Sequence, residues 1–564
     1  MSTVNASKGH MVHGFEKYPA THISRSKFDR SHSLITTMNA GLIVPIWHDL
    51  AYPGDTLILS CRTLSRLATQ IVPFMSNVYM DVHFWCVPIR LIWEHWVNMH
   101  GERPNPDDSI DYMTPQLTIP IGGSPAQSIY DYFNVPNGSA ITSSFDINAF
   151  NFRAYNLVYN EDYRDENLIN RVPQITGDTD SYSNYTLLPR GKRKDFYTSV
   201  LPSPQKGVAV DLPLGTVAPV IGNGMTLGLT NGTQNYGLSG WDGDNTTVIR
   251  TDAYGLPYGS TSAGSVNRSV SLGVTTDPTK SGLIADLSSA TSATINSLRQ
   301  AFAIQRLLER DNISGTRYIE QILGHFSVKS PDARLQRPEF LGGGTFDLRL
   351  NIVPQTSSTD STSPLGELAS YGVINGRTRK IVHSFTEHCV VFGVASIRPE
   401  YYYQQGIERD YSRRTRYDYY YPILANLGEE AVLNKEIYVQ GDSTVDSNGD
   451  VIDEQVFGYQ ERWAEMRYKN SYITGMTRST VSTPLDIWHL GVKYKSLPQL
   501  NEEFINEDGT VIDRVIATNG FNIDSETGEV TQSDTPQFIC NFFFDEKWVR
   551  PMPVFSIPSM SAHM

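Results

Sequence analysis

Between Arg398 and Tyr421 the chain interleaves cations with aromatic rings: Arg398, Tyr401, Tyr402, Tyr403, Arg409, Tyr411, Arg413, Arg414, Arg416, Tyr417, Tyr419, Tyr420 and Tyr421. Rings of this kind stack on unpaired bases at roughly 1–3 kcal/mol each, and guanidinium groups pair with phosphates. The same residue types are enriched where protein subunits meet, so the segment points to nucleic acid, to an interface or to a core. Toward nucleic acid the candidates are Arg413, Arg414, Arg416 and Tyr417. Lys27 and Arg30 join them from a basic N-terminal stretch with Lys8, Lys17 and Arg25, whose alternative reading is a solvated or neighbour-clasping arm.

Reaction chemistry finds little support. The chain contains no G-x-S-x-G elbow, P-loop, HExxH or kinase-like set. Glu429-Glu430 and Glu502-Glu503 are adjacent pairs whose side chains point apart. His83 reads as a surface or interface residue on a strand's polar face, and His95 with His100 lacks the spacing and acidic third ligand of a zinc site. Gly222-x-Gly224 lacks the third glycine of a dinucleotide fingerprint. The acidic run from Asp442 to Asp453 misplaces the glycine of a calcium loop and reads as a hairpin tip. Lys192, Arg193 and Lys194 read as a solvated loop face. Cys61, Cys86, Cys389 and Cys540 are scattered and read as free thiols in the core. No cofactor, no metal and no catalysis are expected.

Charge limits the partners. With 46 basic and 60 acidic residues the net charge is 46 − 60 = −14, so any contact with nucleic acid must be local. The N-terminus lacks the apolar core of a signal peptide, and no run approaches the roughly 18 apolar residues of a membrane span, so a soluble protein made in a cytoplasm is expected. Gly, Pro and Tyr are abundant (43, 31 and 30 residues) and only 19% of residues are charged, which favours strands and turns over helical bundles.

Periodicity supplies the elements. From Thr56, Leu57, Leu59 and Cys61 alternate against Ile58, Ser60 and Arg62, and Asn77–Val87 sets Val78, Met80, Val82, Phe84 and Cys86 against Tyr79, Asp81, His83 and Trp85. Phe385–Ile397 is apolar on both faces, as for a strand buried on both sides, and Ile539–Val549 is a final aromatic strand. One long amphipathic helix starts near Ile295 and stops at Asn312–Gly315. A shorter helix follows, and the Gly342-Gly343-Gly344 run is read as leaving regular structure. Asn448-Gly449, Asp508-Gly509 and Asn519-Gly520 predict hairpins. From Val208 to Lys280 the composition turns to Gly, Thr, Ser and Asn, the mark of an exposed functional loop or of disorder. The domain reading is an arm over 1–55 and one β domain over 56–564, with insertions at 208–283 and 291–344.

The strings LRQAFAIQRLLERD, GTRYIE and SPDARLQRPEFLGGG resemble the major capsid protein of the Microviridae, gokushovirus type. So do FDRSHSLITTMNAGLIVPI, LPSPQKG, the Tyr403–Tyr438 region and RPMPVFSIP, so that most of the chain outside Val208 to about Leu283 is covered. The resemblance implies an eight-stranded antiparallel jelly roll with long insertion loops and a few short helices. It implies a T=1 icosahedral shell with one copy per asymmetric unit, assembled in the bacterial host cytoplasm around circular single-stranded DNA. The implied partners are the chain itself, that genome, a small basic DNA-packaging protein, a pilot protein and a host surface receptor, without membrane insertion. The 208–283 insertion is then the host-contacting protrusion, with Asn223, Asn231, Tyr236, Trp241, Tyr254 and Tyr258 as candidates. A β-rich glycosidase with two separated carboxylates and a phage spike or carbohydrate-binding jelly roll are the competing readings.

Overall fold

Period-two alternation decides the architecture. The computed structural model describes residues 24–555 apart from 104, 139, 209, 211–219, 223–227, 231–234, 238–270, 273–282, 286–294, 329–335, 358–363, 518–521, 524–529 and 532–535. Eight strands dominate it: β1 (His32–Met38), β2 (Val44–Ala51), β3 (Thr56–Leu67), β4 (Val78–Pro88), β5 (Glu339–Pro354), β6 (Leu368–Arg377), β7 (Cys389–Pro399) and β8 (Phe538–Arg550). They pair antiparallel in the orders β1–β8–β3–β6 and β2–β7–β4–β5. β5 belongs to both halves: Glu339 to Asp347 pair with β4, and Leu348 to Pro354 pair with β6, so the sheet curls over on itself. This is the strand order of a jelly roll, as the resemblance implied. Short strands at Ser26–Asp29 and Ile381–Ser384 extend the first half by pairing with β8 and β3.

Inside the curl, Phe538, Cys540, Phe542, Phe544 and Trp548 of β8 meet Leu57, Leu59 and Cys61 of β3 and Met80, Val82 and Phe84 of β4. Each such ring or branched chain, fully buried, stabilises the fold by about 1.5–3 kcal/mol. A second core lies on the far face of β4 and β7. There Trp85, Val390 and Phe392 pack under the insertion between β4 and β5, which supplies Trp93, Tyr130 and the helix α1 (Phe150–Val158). The Tyr155 hydroxyl ties α1 to the barrel by donating to the Ile43 carbonyl (2.8 Å) and accepting from the Leu188 N–H (3.0 Å). The face of β4 read as polar is therefore covered. Asp81 and Trp85 are buried, and half-buried His83 bonds the Tyr163 hydroxyl at 2.8 Å instead of meeting solvent. The two-sided burial expected of β7 is found along nearly its whole length.

Several local expectations are corrected. Residues 26–51, read as part of an arm, supply Ser26–Asp29, β1 and β2 to the sheet. Gly342, Gly343 and Gly344 sit inside β5, not outside regular structure. Gly342 takes φ +143° at a bulge, and a Cβ on Gly343 would lie 2.2 Å from the Val82 carbonyl oxygen, so close strand approach demands glycine there. Lys192 is buried, with its ammonium donating to the Phe504 carbonyl (2.6 Å) and lying over the Tyr401 and Phe504 rings. Asn448-Gly449 does turn a hairpin, closed by the Asp446 N–H donating to the Asp450 carbonyl (2.9 Å). Asp508-Gly509 instead opens a 3-10 helix over Gly509–Val515, with the Asp508 carboxylate capping the Thr510 N–H at 3.0 Å. Asn519-Gly520 lies outside the described residues, beside the antiparallel strands Asn522–Ile523 and Val530–Thr531.

Helix α2 (Ile295–Ser314) ends where Gly315 adopts φ +104°, and α3 (Tyr318–Phe326) follows. The ring of His325 meets the Asp311 carboxylate at 2.7 Å and ties the two helices together. Residues 205–310 form a compact unit of their own, separate from the unit of 1–204 and 311–564. It contains the paired strands Val220–Gly222 with Leu283–Ala285, and Gly228–Thr230 flanked by Asn235–Gly237 and Ser271–Leu272.

Candidate nucleic-acid interface

The cation and ring segment after β7 divides into an internal and an external part. Arg398 is an internal cation: it pairs with the Asp81 carboxylate and donates to the Gly191 carbonyl at 3.1 Å. Tyr401 and Tyr403 are buried in a third core with Phe196, Tyr197, Val432 and Phe504. The Tyr403 hydroxyl donates to Asp195 (2.7 Å) and that of Tyr401 to Glu507. Burial pushes the Glu507 carboxyl up to about 8 and the neighbouring Lys192 ammonium down, each desolvated and each leaning on the other. Arg409 is held by Glu436 (2.7 Å) and Glu430 (3.0 Å), and Arg413 by Asp410 (2.9 Å) and Glu465 (3.0 Å).

Beyond this point the segment turns outward. Arg414, Arg416 and Tyr417 are exposed, with the Arg416 guanidinium 5.7 Å from the centre of the Tyr421 ring. Neither Arg414 nor Arg416 forms an ion pair among the described residues, so both remain available to an anion. Of the four candidates here, the fold thus brings three to the surface and engages Arg413 internally. A cleft of about 590 Å³ opens beside the segment between Arg409, Tyr411, Glu436, Tyr468 and Tyr472. Its carboxylates and cations are mixed, and burial raises Glu436 above the ordinary carboxylate range.

The N-terminal candidates also separate. Lys27 stands exposed opposite Val549 at the sheet margin, whereas Arg30 pairs with Asp49 and approaches the buried Glu546 at 3.6 Å. Among the protrusion candidates Tyr236 lies in the strand Asn235–Gly237, in register with Leu229, and Asn223, Asn231, Trp241, Tyr254 and Tyr258 lie outside the described residues. Two further cations were passed over in the sequence, Arg62 and Arg66 on β3, both exposed. The signal was present, because alternation from Leu57 already turned Arg62 away from the core.

These surfaces offer charge, stacking and burial, the means of binding and assembly. Comparison with known proteins agrees. The family model described as capsid protein (F protein) matches residues 16–560. The chain is 42% identical over 558 residues to capsid protein VP1 of Bdellovibrio phage phiMH2K, covering 98% of each chain. It is 38% identical to capsid protein VP1 of Chlamydia phage 1 (98% of each) and 34% identical to capsid protein VP1 of Spiroplasma virus 4 (99% of each). With a jelly roll at its centre and this likeness running end to end, the chain belongs to the F family of phage capsid proteins and is a major capsid protein, a structural component of the virion that assembles with its own copies.

Proposed function

We propose that the chain builds a closed T=1 icosahedral shell, one copy per asymmetric unit, around circular single-stranded DNA in the host cytoplasm. The observation that carries the assembly geometry is the β5–β6 ribbon. Leu348 and Leu350 pack on the barrel core, and the same face continues through Ile352 and Pro354 opposite Leu368 after the barrel has ended. Ile352 is 58% exposed and Leu368 41%. A two-stranded ribbon with apolar residues in water is marginal by itself, and a neighbouring copy in the shell is the partner that covers it.

The DNA-contacting residues in this reading are Arg414, Arg416, Tyr417 and Lys27, with Arg413 and Arg30 supporting the fold around them. An acidic shell around an acidic genome calls for a small basic packaging protein on the inner face, and a pilot protein and a host receptor complete the set of partners. The 208–283 insertion serves as the host-contacting protrusion. Expression of the chain with and without a small basic partner, read by sedimentation and negative-stain microscopy, tests the shell: closed particles or pentamers are expected, and a stable monomer in both conditions counts against it. Deleting Gly222–Ser269 is expected to leave particles intact and abolish attachment to the host; normal attachment removes the protrusion's role.

A further inference from the structure

The outward faces of the two barrel halves differ. That of β4 and β7 is buried beneath the insertion after β4. On β1–β8–β3–β6, by contrast, Ile35, Leu64, Ile539 and Phe543 stand exposed. Register fixes what surrounds them, since residues directly opposite on antiparallel strands share a face. One row reads Thr37, Ile539, Arg66, Val373; the next Ile35, Asn541, Leu64, Asn375; the third Ser33, Phe543, Arg62, Arg377.

Arg62 therefore lies directly opposite Arg377, a like-charge pairing that weakens a sheet unless an anion joins it. Arg377 turns to Asp545 (3.3 Å) and Ser60 (2.9 Å), and Lys547 shares the same carboxylate at 3.4 Å. The side chains of Arg62, Arg66, Arg379 and Lys380 form no ion pair among the described residues and are exposed, and exposed Lys27 has the Asp29 carboxylate as its electrostatic neighbour. A cleft of about 160 Å³ is bounded by Lys27, Arg377, Lys380 and Lys547 together with Ser60 and Asp545, so four cations face one carboxylate there and a phosphate can join them. In a chain of net charge −14, Arg62 and Arg66 on this sheet face, with Lys380 and Lys27 at its margin, favour a polyanion.

We propose that this face binds single-stranded DNA, with phosphates paired to Arg62, Arg66, Lys380 and Lys27 and bases lying across Phe543, Asn541 and Asn375. The proposal rests on the reading that the shell encloses such a genome, and it places this half of the barrel on the inner surface. A sheet face that sets a ring and amides between cations suits splayed bases better than a duplex, whose bases are turned inward. Arg62 and Arg66 are four residues apart, about 14 Å along the strand, so one flexible chain can reach both.

The test uses the full chain and fluorescein-labelled oligo(dT), with affinity read by anisotropy from 50 to 200 mM NaCl. Each lost phosphate contact lowers the slope of log affinity against log salt by about 0.7, so R62Q/R66Q/K380Q should flatten it by about 2. R62K/R66K, which keeps the charges, should hold the parent slope, and F543A should weaken binding on the order of tenfold with the slope unchanged. Particle formation by sedimentation is followed in parallel. A parent chain that fails to bind oligo(dT) at 50 mM salt, or a triple variant with the parent's slope, overturns the proposal. So does loss of particles with DNA binding retained, which assigns the face to a neighbouring copy. Charge-dependent DNA binding by a parent that forms no particles keeps this face and defeats the shell reading instead.

Discussion

Glu546 offers the sharpest test of how the barrel is held. It sits on β8 among Phe542, Phe544 and Trp548, at 0% exposure. Its carboxylate accepts from the Trp47 indole N–H at 3.0 Å and from the Trp548 indole N–H at 2.5 Å, with His32 at 3.4 Å and Arg30 at 3.6 Å. Glu546→Ala leaves two buried indole donors unpaired. At about 1–3 kcal/mol for each orphaned donor, plus the cavity, the expected loss is roughly 3–6 kcal/mol. Glu546→Gln keeps one acceptor oxygen but turns an amide N–H toward the second indole, so about 1–3 kcal/mol should be lost. Urea unfolding followed by tryptophan fluorescence is the suitable assay, because Trp47 and Trp548 themselves report the site. An alanine variant within about 0.5 kcal/mol of the parent would refute the reasoning, since it would mean that the indoles find other acceptors or that the site admits water.

Three further outcomes are expected. Arg153→Met should cost about 3–5 kcal/mol and expose the insertion after β4 to proteolysis, because Arg153 and Asp180 (2.8 Å, side chains 1% and 0% exposed) would leave a buried carboxylate unpaired; limited proteolysis at matched temperature checks it. Stability should fall toward acid between pH 6.5 and about 4 through His83, which burial and then Arg190 hold neutral in the fold, and toward base between pH 4.5 and about 8 through Glu507, whose carboxyl stays protonated in the fold after the unfolded chain has ionised. In thermal melts across pH 4–8, His83→Gln should flatten the first limb and Glu507→Gln the second. Ile352→Lys with Leu368→Lys should abolish particle formation while shifting the melting temperature by no more than a few degrees, as read by sedimentation and calorimetry.

Much of the barrel was legible because its strands obey the alternation that burial imposes. Leu57, Leu59 and Cys61 point inward as their spacing predicts, and β7 is apolar on both sides because a core lies on each. The end of α2 was legible from Gly315, whose conformation only glycine adopts freely. Readings failed where a residue's role is set by chain far away. Gly343 resembles a loop glycine until Val82 of β4 is laid against it, and Glu546 breaks an apolar strand until two indoles from β2 and β8 reach it. The stretch before residue 55 looked like an arm because β1 has one face in water, so its apolar content is low even though it pairs with β8.

The same limit governs the candidate interface. Alternation separates the two faces of β3 and of β4 equally well, and in both strands the second face carries polar side chains, Ser60 and Arg62 in one and Asp81 and His83 in the other. What makes one face structural and the other available is where the insertion after β4 folds back. It covers β4, where Asp81 must then be paired with Arg398, and it leaves β3 with Arg62 and Arg66 pointing into solvent. Arg153, Arg398 and Arg409, largely withdrawn from solvent, are each accompanied by a carboxylate, and buried Lys192 by a carbonyl and two rings, because desolvation makes an unpartnered charge too costly to keep. Cations that the fold leaves without a carboxylate are therefore the ones to examine for an external anion. By that criterion Arg62 and Arg66 rank with Arg414 and Arg416, and above Arg413, although the sequence alone favours the crowded segment after β7.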